Sequence, residues 1–133
     1  MSADLATTDQ SKRILQTMYA AAISGDMVTF NALVDDDAQF HEPGCMPYGG
    51  SYRGKKSLVD LFMQVGKYLN YATIKIDYML ADGANVITAI QIKATNGNDV
   101  RVLEEALVRD GKVVDLRIFL SDPALVATLK SAS

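Results

Sequence analysis

The sequence contains very few of the side chains that form disulfides or bind metals. Its 133 residues include a single cysteine, Cys45, and a single histidine, His41. One cysteine excludes a disulfide within the chain and fits a reducing compartment, so we expect a cytoplasmic protein. A zinc site of the usual nitrogen and sulfur ligands is strongly disfavoured, and we expect neither a metal nor a cofactor.

Long apolar runs and clusters of positive charge are missing as well. No apolar stretch approaches the ~20 residues that span a bilayer, and the N-terminus lacks the basic start and apolar run of a signal peptide. The net charge of −3, with no basic cluster, argues against nucleic acids and anionic membranes as partners. A phosphate-binding glycine loop and a nucleophile elbow are also absent from the sequence.

What is present is the composition of an ordinary globular domain. Hydrophobic residues make up 49% and charged residues 22% of the chain, and its length predicts one domain over residues 1–133. A domain of this length buries enough surface to fold without a disulfide or a metal. We expect residues 1–9 to form a flexible N-terminus.

Apolar residues recur at helical spacing through the first half of the chain. A first helix is predicted to begin at a capping residue within 9–11 and to end at Gly25. Asp26 is placed to cap a short second helix. A third helix is predicted to begin after Gly54 and to run to about Leu69, because its apolar residues form one stripe.

The second half of the chain shows the pattern of β-strands joined by tight turns. Asp-Gly and Asn-Gly pairs separate four candidate strands, which is typical of an antiparallel meander. These strands are Tyr71–Leu80, Val86–Thr95, Asp99–Arg109 and Lys112–Leu120. A short strand, Ala38–Glu42, follows the acidic run Asp35–Asp37, which we interpret as a solvated turn. The order predicts an α+β fold, with helices on one face of a curved antiparallel sheet and a pocket between them.

The segment from His41 to Gly54, HEPGCMPYGGSYRG, concentrates the reactive side chains. It holds the histidine, a carboxylate, two tyrosines, the cysteine and an arginine within one turn-rich stretch. Loops beside rigid elements commonly carry such side chains. The segment therefore indicates which surface binds or reacts, without specifying the reaction.

The order of elements and several short motifs resemble the nuclear transport factor 2-like (NTF2-like) superfamily, most of all its SnoaL-like and ketosteroid-isomerase-like branch. The motifs are Gly25-Asp26, Glu42-Pro43, Tyr48-Gly49-Gly50, Tyr52-Arg53-Gly54 and Gly111-Lys112. The resemblance, over roughly residues 14–125, implies a cone-shaped, cystatin-like domain with a deep apolar pocket. It also implies a homodimer formed through the outer face of the sheet. Because this fold carries many activities, the resemblance specifies the fold more firmly than the function.

The implied pocket is expected to hold a small hydrophobic molecule. The residues expected to line it are Met18, Tyr19, Phe40, Met46, Tyr52, Phe62, Leu116 and Ile118. The residues expected to carry chemistry are Glu42, Tyr48, His41 and Glu105.

Glu42 is the first candidate base. Glu42-Pro43 matches the position at which ketosteroid isomerases place the carboxylate that moves a proton on a steroid carbon. Strand alternation puts Phe40 and Glu42 on one face, so Glu42 points inward if Phe40 is in the core. Burial there raises the pKa of a carboxyl group toward neutrality. The alternative is a structural carboxylate that accepts hydrogen bonds from nearby turn N–H groups.

Two neighbours of Glu42 have alternative roles. His41 points to the opposite face of a regular strand, where it would contact a subunit or a helix, whereas a bulge near Pro43 would turn it inward as an acid or base. Tyr48 offers a hydroxyl that can donate to an oxyanion, or a ring that packs the loop. Tyr52 is more simply interpreted as a residue that holds the loop.

Two further positions bear on the isomerase resemblance. Counting from Gly25-Asp26 places Met18 where those enzymes carry an oxyanion-binding tyrosine, so the tyrosine is either absent or replaced by Tyr19 on a rotated helix. Counting back from Gly111-Lys112 places Glu105 where they carry a protonated aspartate. Glu104 and Glu105 point to opposite faces, and one of them must meet a largely apolar surface.

These residues support two hypotheses about function. The first is an enzyme of the polyketide cyclase or isomerase type, which performs cofactor-independent acid–base chemistry on a hydrophobic carbonyl compound. The second is a non-catalytic module that binds a small molecule, motivated by Met18 at the tyrosine position. Epoxide hydrolysis is a weaker possibility within the superfamily, because its Asp–Arg–Asp set has no clear place on this chain.

Overall fold

In the computed structural model, which describes residues 5–124, three helices pack on one six-stranded sheet. The helices are α1 (Leu5–Ser24), α2 (Met27–Leu33) and α3 (Lys55–Val65). The strands are β1 (Val34–Glu42), β2 (Gly50–Arg53), β3 (Leu69–Asp82), β4 (Asn85–Ala94), β5 (Asp99–Arg109) and β6 (Lys112–Leu120). This arrangement confirms the predicted α+β class, and β5 and β6 keep their predicted bounds. Within the described range, no helix is long and apolar enough to cross a bilayer.

The strands lie in the order β2-β1-β6-β5-β4-β3. Neighbours along β6, β5, β4 and β3 run antiparallel, as the turn pairs predicted. β1 instead runs parallel to β6, with Phe40 opposite Leu116. The prediction of a wholly antiparallel sheet is therefore wrong for this pair. The parallel pairing brings the end of β1, which carries Glu42, beside the middle of β6.

The junction between α1 and α2 follows the predicted capping chemistry. Gly25 ends α1 with φ of 77°, a conformation that favours glycine. Asp26 then caps α2 by accepting a hydrogen bond of 3.1 Å from the backbone N–H of Thr29. The start of α1 was predicted too late, because the helix already includes residues 5–9, which we expected to be flexible.

Three other local predictions need correction. The acidic run Asp35–Asp37 belongs to β1 and is not a turn, although Asp36 and Asp37 remain exposed. The short edge strand β2 was not predicted. The third helix ends earlier than expected, at Val65. The sequence also predicts a turn of helix over residues 124–130 at the pocket mouth, and this segment lies almost entirely outside the described residues.

The core lies between the helices and the sheet face that they cover. α1 packs on β3 and β4, and α3 packs on β1 and β2. Leu15 and Leu61 are fully buried at the centre of these contacts. Phe62 packs edge-on against Phe30 and Phe40, with ring centroids 5.1 and 5.8 Å apart. The helices thus cover one sheet face while leaving room for a cavity beside these aromatic rings.

Candidate active site

A cavity of about 80 Å³ lies between the helices and the sheet. Its wall is mostly apolar, but two carboxyl groups and three phenol rings reach it, from Glu42, Glu104, Tyr19, Tyr48 and Tyr71. Six of the residues expected to line the pocket do so: Met18, Tyr19, Phe40, Phe62, Leu116 and Ile118. No lysine or arginine among the described residues lines the cavity, so no cation neutralises the carboxyl groups there.

Glu42 lies at the end of β1, on the same face as Phe40, and lines the cavity as predicted. Burial, and secondarily the charge of Glu104, raises the pKa of Glu42 to about 8. Both causes disfavour the carboxylate form. Glu42 is therefore a carboxyl group that gains and loses a proton close to neutral pH.

Glu104, on β5, is the second cavity-facing carboxyl group, and it is hydrogen-bonded to Tyr19 of α1. The Tyr19 hydroxyl donates a hydrogen bond of 2.7 Å to Glu104 Oε1. Burial raises the pKa of Glu104 to about 7, and this hydrogen bond lowers it in part. Burial and the nearby Glu104 charge raise the pKa of Tyr19 well above its ordinary value. Tyr19 therefore stays protonated and available as a donor.

Met18 and Tyr19 are both buried on the cavity side of α1. The covered face of α1 is wide enough to bury two consecutive positions. The phenol of Tyr19 therefore reaches the cavity although it lies one residue after the position that the resemblance implies. Of the two alternatives that the sequence left open, the structure shows the second: Tyr19 supplies a phenol to the cavity.

Glu105 was assigned to the wrong face of its strand. It is exposed on the outer face of the sheet, opposite Ile87 on β4 and Arg117 on β6. Side chains alternate along a strand, so Glu104 occupies the cavity face in its place. Glu104 was weighed for this face from the sequence but was not chosen.

His41 also lies on the outer face, because the pairing of β1 is regular from Gln39 to the end of the strand, and the register shift against β6 lies earlier, between Val34 and Gln39. Its Nε2 atom is 2.8 Å from Asp115 Oδ1, and its Nδ1 atom is 2.7 Å from Ser51 Oγ. Of the two orientations that the sequence left open for His41, the structure shows the one that points away from the pocket. The imidazole links β2 and β6 across β1.

The loop after Glu42 forms part of the cavity wall through Tyr48, whose side chain is buried. Burial, followed by the charge of Glu42, raises the pKa of the Tyr48 phenol. The Tyr52 hydroxyl donates a hydrogen bond of 2.8 Å to the Tyr48 carbonyl oxygen, which holds the loop. A Cβ atom at Gly49 would lie 2.4 Å from the Pro43 carbonyl oxygen, so only glycine fits this close approach. Tyr52 and the buried Met46 do not line the cavity, contrary to expectation.

Residues 15–116 match the family model of the SnoaL-like domain. The chain belongs to the SnoaL-like domain family. No curated protein matches the sequence of this SnoaL-like chain.

Solved structures similar to this SnoaL-like protein share its NTF2-like fold. Bal32a, from a soil-derived mobile gene cassette, is 25% identical, with a TM-score of 0.77 over 88% of this chain and 93% of its own. An NTF2-like protein from Burkholderia xenovorans LB400 is 21% identical, with a TM-score of 0.76 over 92% of this chain and 98% of its own. A candidate ketosteroid isomerase from Kribbella flavida DSM 17836 is 15% identical, with a TM-score of 0.73 over 85% of this chain and 78% of its own.

Two residues near the carboxyl groups of this SnoaL-like protein were missed by the sequence reasoning. Tyr71 lines the cavity from β3, and burial, followed by the charges of the two glutamates, raises its pKa. Thr88 on β4 pairs with Glu104 in the sheet, is fully buried, and its hydroxyl has no hydrogen-bond partner within the described residues. The Thr88 hydroxyl lies near the Tyr19 hydroxyl and lowers the pKa of that phenol, by less than burial and Glu104 raise it. No pattern in the sequence indicates which face either residue occupies.

The arrangement of Glu42, Glu104 and Tyr19 is suited to proton transfer. Two carboxyl groups that repel each other in one apolar cavity lose their protons in successive steps, so near neutral pH the pair holds about one proton. In such a pair, one member is able to accept a proton while the other is able to donate one. Among residues 5–124, no group of three or more histidine, cysteine, aspartate or glutamate side chains is arranged to hold a metal ion.

Proposed function

We propose that this SnoaL-like protein is an enzyme that moves a proton between two carbon atoms of a hydrophobic carbonyl compound, without a cofactor. The observation that carries the proposal is the pair of cavity-facing carboxyl groups, Glu42 and Glu104, with Tyr19 bound to the second. Acid–base catalysis is most effective when the pKa of the catalytic group is near the working pH. The pKa values of about 8 and about 7 meet this condition.

In the proposed reaction, the carbonyl oxygen of the substrate accepts hydrogen bonds from Tyr19 and from protonated Glu104. The oxygen atoms of these two groups are 2.7 Å apart, so both can contact one substrate oxygen. Ionised Glu42 removes a proton from the carbon beside the carbonyl group, which leaves an enolate. The two donors stabilise the negative charge on its oxygen. Glu42 then returns the proton to another carbon, and the enzyme regains its starting state.

The resting state differs from the reactive one in the position of one proton. Without substrate, the hydrogen bond from Tyr19 favours ionised Glu104, and the proton resides mainly on Glu42. A bound carbonyl oxygen favours a protonated Glu104, because that form is the one that donates. Substrate binding therefore supports the transfer of the proton from Glu42 to Glu104, and Glu42 becomes the base.

Tyr48 and Tyr71 support this chemistry from the cavity wall. Burial and the nearby carboxylates raise both phenol pKa values, so the two hydroxyls remain protonated at neutral pH. They add donors without adding negative charge. The alternative of a non-catalytic binding module rested on Met18 replacing a tyrosine, and the contact between Tyr19 and Glu104 weakens that support.

The proposal is tested by isomerisation of cyclohex-3-enone, a minimal ketone whose double bond moves into conjugation when a proton is transferred. The product is followed by its ultraviolet absorbance. We expect turnover by the wild type and a loss of at least about a hundredfold in Glu42→Gln, the range typical of a removed general base. Glu105→Gln is the matched control, because it changes the same side chain on the outer face. A Glu42→Gln variant that retains full turnover would exclude Glu42 as the base.

We also propose that the protein is a homodimer formed through the outer face of the sheet. Five large apolar side chains are exposed there: Tyr78, Leu80, Ile87, Leu103 and Phe119. Leu103 lies opposite Phe119, and Leu80 lies opposite Ile87, so the residues form adjacent pairs across four strands. An exposed apolar patch of this kind is typical of a protein–protein contact.

A further inference from the structure

A wide groove opens beside the cavity, between the C-terminal ends of α1 and α3 and the start of β3. Its volume is about 1260 Å³. It shares five wall residues with the cavity: Ala22, Phe30, Phe62, Leu69 and Tyr71. The cavity and the groove are therefore neighbours, and these five side chains form their common boundary. The carboxyl groups of Glu42 and Glu104 line only the cavity part.

The cavity alone is too small to enclose a whole drug-sized ligand. Its volume of about 80 Å³ corresponds to roughly six water molecules at ~10–15 Å³ each. Pockets that enclose a whole drug-sized ligand measure roughly 300–1,000 Å³. The cavity therefore holds a carbonyl group and a few neighbouring atoms, and the rest of the ligand must extend beyond it.

The groove has the chemistry of an alkyl-binding surface. Val59 and Met63, one turn apart on α3, line it and are 46% and 67% exposed, and Met27 lines it at 40% exposure. Lys93 is the one charged side chain among the described residues of the groove, and its Nζ atom is 2.8 Å from Asp99 Oδ1. The groove thus offers apolar contact and no unpaired cation for an anionic group.

We infer that the ligand is an elongated, uncharged carbonyl compound, with its carbonyl end in the cavity and a flexible apolar chain in the groove. The inference rests on the proposed function for the position of the carbonyl end. The position of the alkyl chain is inferred from the apolar groove, which begins at side chains that also line the cavity. A compact fused-ring ligand is too large to enter the cavity that Glu42 and Glu104 line.

The test is a binding series of β-diketones on the full-length protein. Pentane-2,4-dione, heptane-2,4-dione and nonane-2,4-dione share one head group and differ only in chain length. Burial of one methylene group contributes ~0.8 kcal/mol, or roughly three- to fourfold in affinity. We expect nonane-2,4-dione to bind at least about tenfold more tightly than pentane-2,4-dione by calorimetry.

Variants of groove residues test whether the alkyl chain of the ligand lies in the groove. The double variant Val59→Ser/Met63→Ser is expected to weaken nonane-2,4-dione by about threefold or more and to leave pentane-2,4-dione within about twofold. Val28→Ser is the matched control, since Val28 is 84% exposed and lies outside the groove. It should change neither affinity.

Affinity that is independent of chain length would overturn the inference, and would be the result if residues 125–133 or a second copy fill the groove. An equal effect of Val28→Ser would overturn it as well. These results can be told apart from failure of the proposed function. Chain-length-dependent binding without isomerisation would retain the groove and reject the catalysis, whereas isomerisation with flat affinities would do the reverse.

Discussion

The Tyr19 hydroxyl and the Glu104 carboxyl group, 2.7 Å apart, join the first helix to the fifth strand inside the cavity. The contact gives Glu104 the one hydrogen bond that favours its ionised form, against a burial that disfavours it. Glu42 carries the other carboxyl group without a comparable stabilising contribution to its pKa. This difference between the two glutamates decides where the proton of the pair resides.

Replacement of Tyr19 by phenylalanine tests this contact. We expect Tyr19→Phe to raise the pKa of Glu104, because it removes the hydrogen bond that lowers it. Turnover of cyclohex-3-enone should fall by roughly a hundredfold or more, as it does when one oxyanion donor is removed. Tyr78→Phe, on the exposed outer face, is the control. Equal turnover in the two variants would show that Tyr19 contacts no reacting atom.

The raised carboxyl pKa values predict how stability depends on pH. Glu42 and Glu104 ionise near their ordinary value in the unfolded chain, but near pH 8 and pH 7 when folded. Between about pH 4.5 and 8 the folded protein therefore binds more protons, and its free energy of unfolding decreases as pH rises, by up to ~1.4 kcal/mol per pH unit and group. At low pH both carboxyl groups are protonated and their burial does not destabilise the fold. The destabilisation develops as the pH rises and is complete above the pKa values of the folded protein.

Urea unfolding at a series of pH values measures this dependence. Because Glu42→Gln removes one titrating group, its stability relative to the wild type should increase steadily from pH 5 to pH 8. Glu105→Gln, which leaves both cavity carboxyl groups in place, should keep the decrease in stability between pH 5 and pH 8. Parallel curves for Glu42→Gln and the wild type would mean that Glu42 titrates alike in the folded and unfolded chain.

Substitution of Thr88 is expected to raise the free energy of unfolding, whereas most core substitutions lower it. Its fully buried hydroxyl has no hydrogen-bond partner among residues 5–124, and an unsatisfied buried group costs ~1–3 kcal/mol. Thr88→Val, which keeps the shape, should raise the free energy of unfolding by about 1 kcal/mol. Thr73→Val should lower it, since the Thr73 hydroxyl donates to the Asn70 carbonyl and accepts from the Lys93 N–H. Destabilisation of equal size in both variants would indicate that the Thr88 hydroxyl is satisfied.

The proposed dimer is tested by sedimentation. Leu103→Asp places a charge in the exposed apolar patch of the outer face and should convert a dimer into a monomer, because the charge would be desolvated at the contact. Val28→Asp, an equal change at an exposed site on α2, should leave the dimer intact. A wild type that sediments as a monomer at high concentration would contradict the proposal.

Much of the fold was predictable because local sequence patterns agree with the tertiary structure. Gly25 and Asp26 mark the first helix junction, and the Asp-Gly pair at residues 110–111 marks the turn between β5 and β6. The parallel pairing of β1 with β6 was not predictable, because it joins segments that are distant in sequence and has no turn signal. The same holds for the edge strand β2, whose pairing depends on the loop that Gly49 closes.

The site was predicted less completely, because whether a residue belongs to it depends on which face of its helix or strand the side chain occupies. The chemical type of the residue does not decide this. Glu104 and Glu105 are adjacent and chemically identical, and a shift of one residue exchanges the cavity face for the outer face. Whether Tyr19 faces the cavity together with Met18 depends on the rotation of α1 about its axis, which is set by its packing on β3 and β4. Glu42 was predictable because Phe40, two residues earlier, gave an independent reason for its direction.

The most direct test of the account is a carbon-13 NMR titration of the glutamate carboxyl groups, with Glu42→Gln and Glu104→Gln used to assign the signals. The account predicts that the carboxyl groups of Glu42 and Glu104 titrate near pH 8 and pH 7. It also predicts that removal of one lowers the pKa of the other, since the two charges repel each other. Titration of Glu42 and Glu104 at the ordinary glutamate value, with no mutual effect, would contradict a shared proton and with it the proposed chemistry.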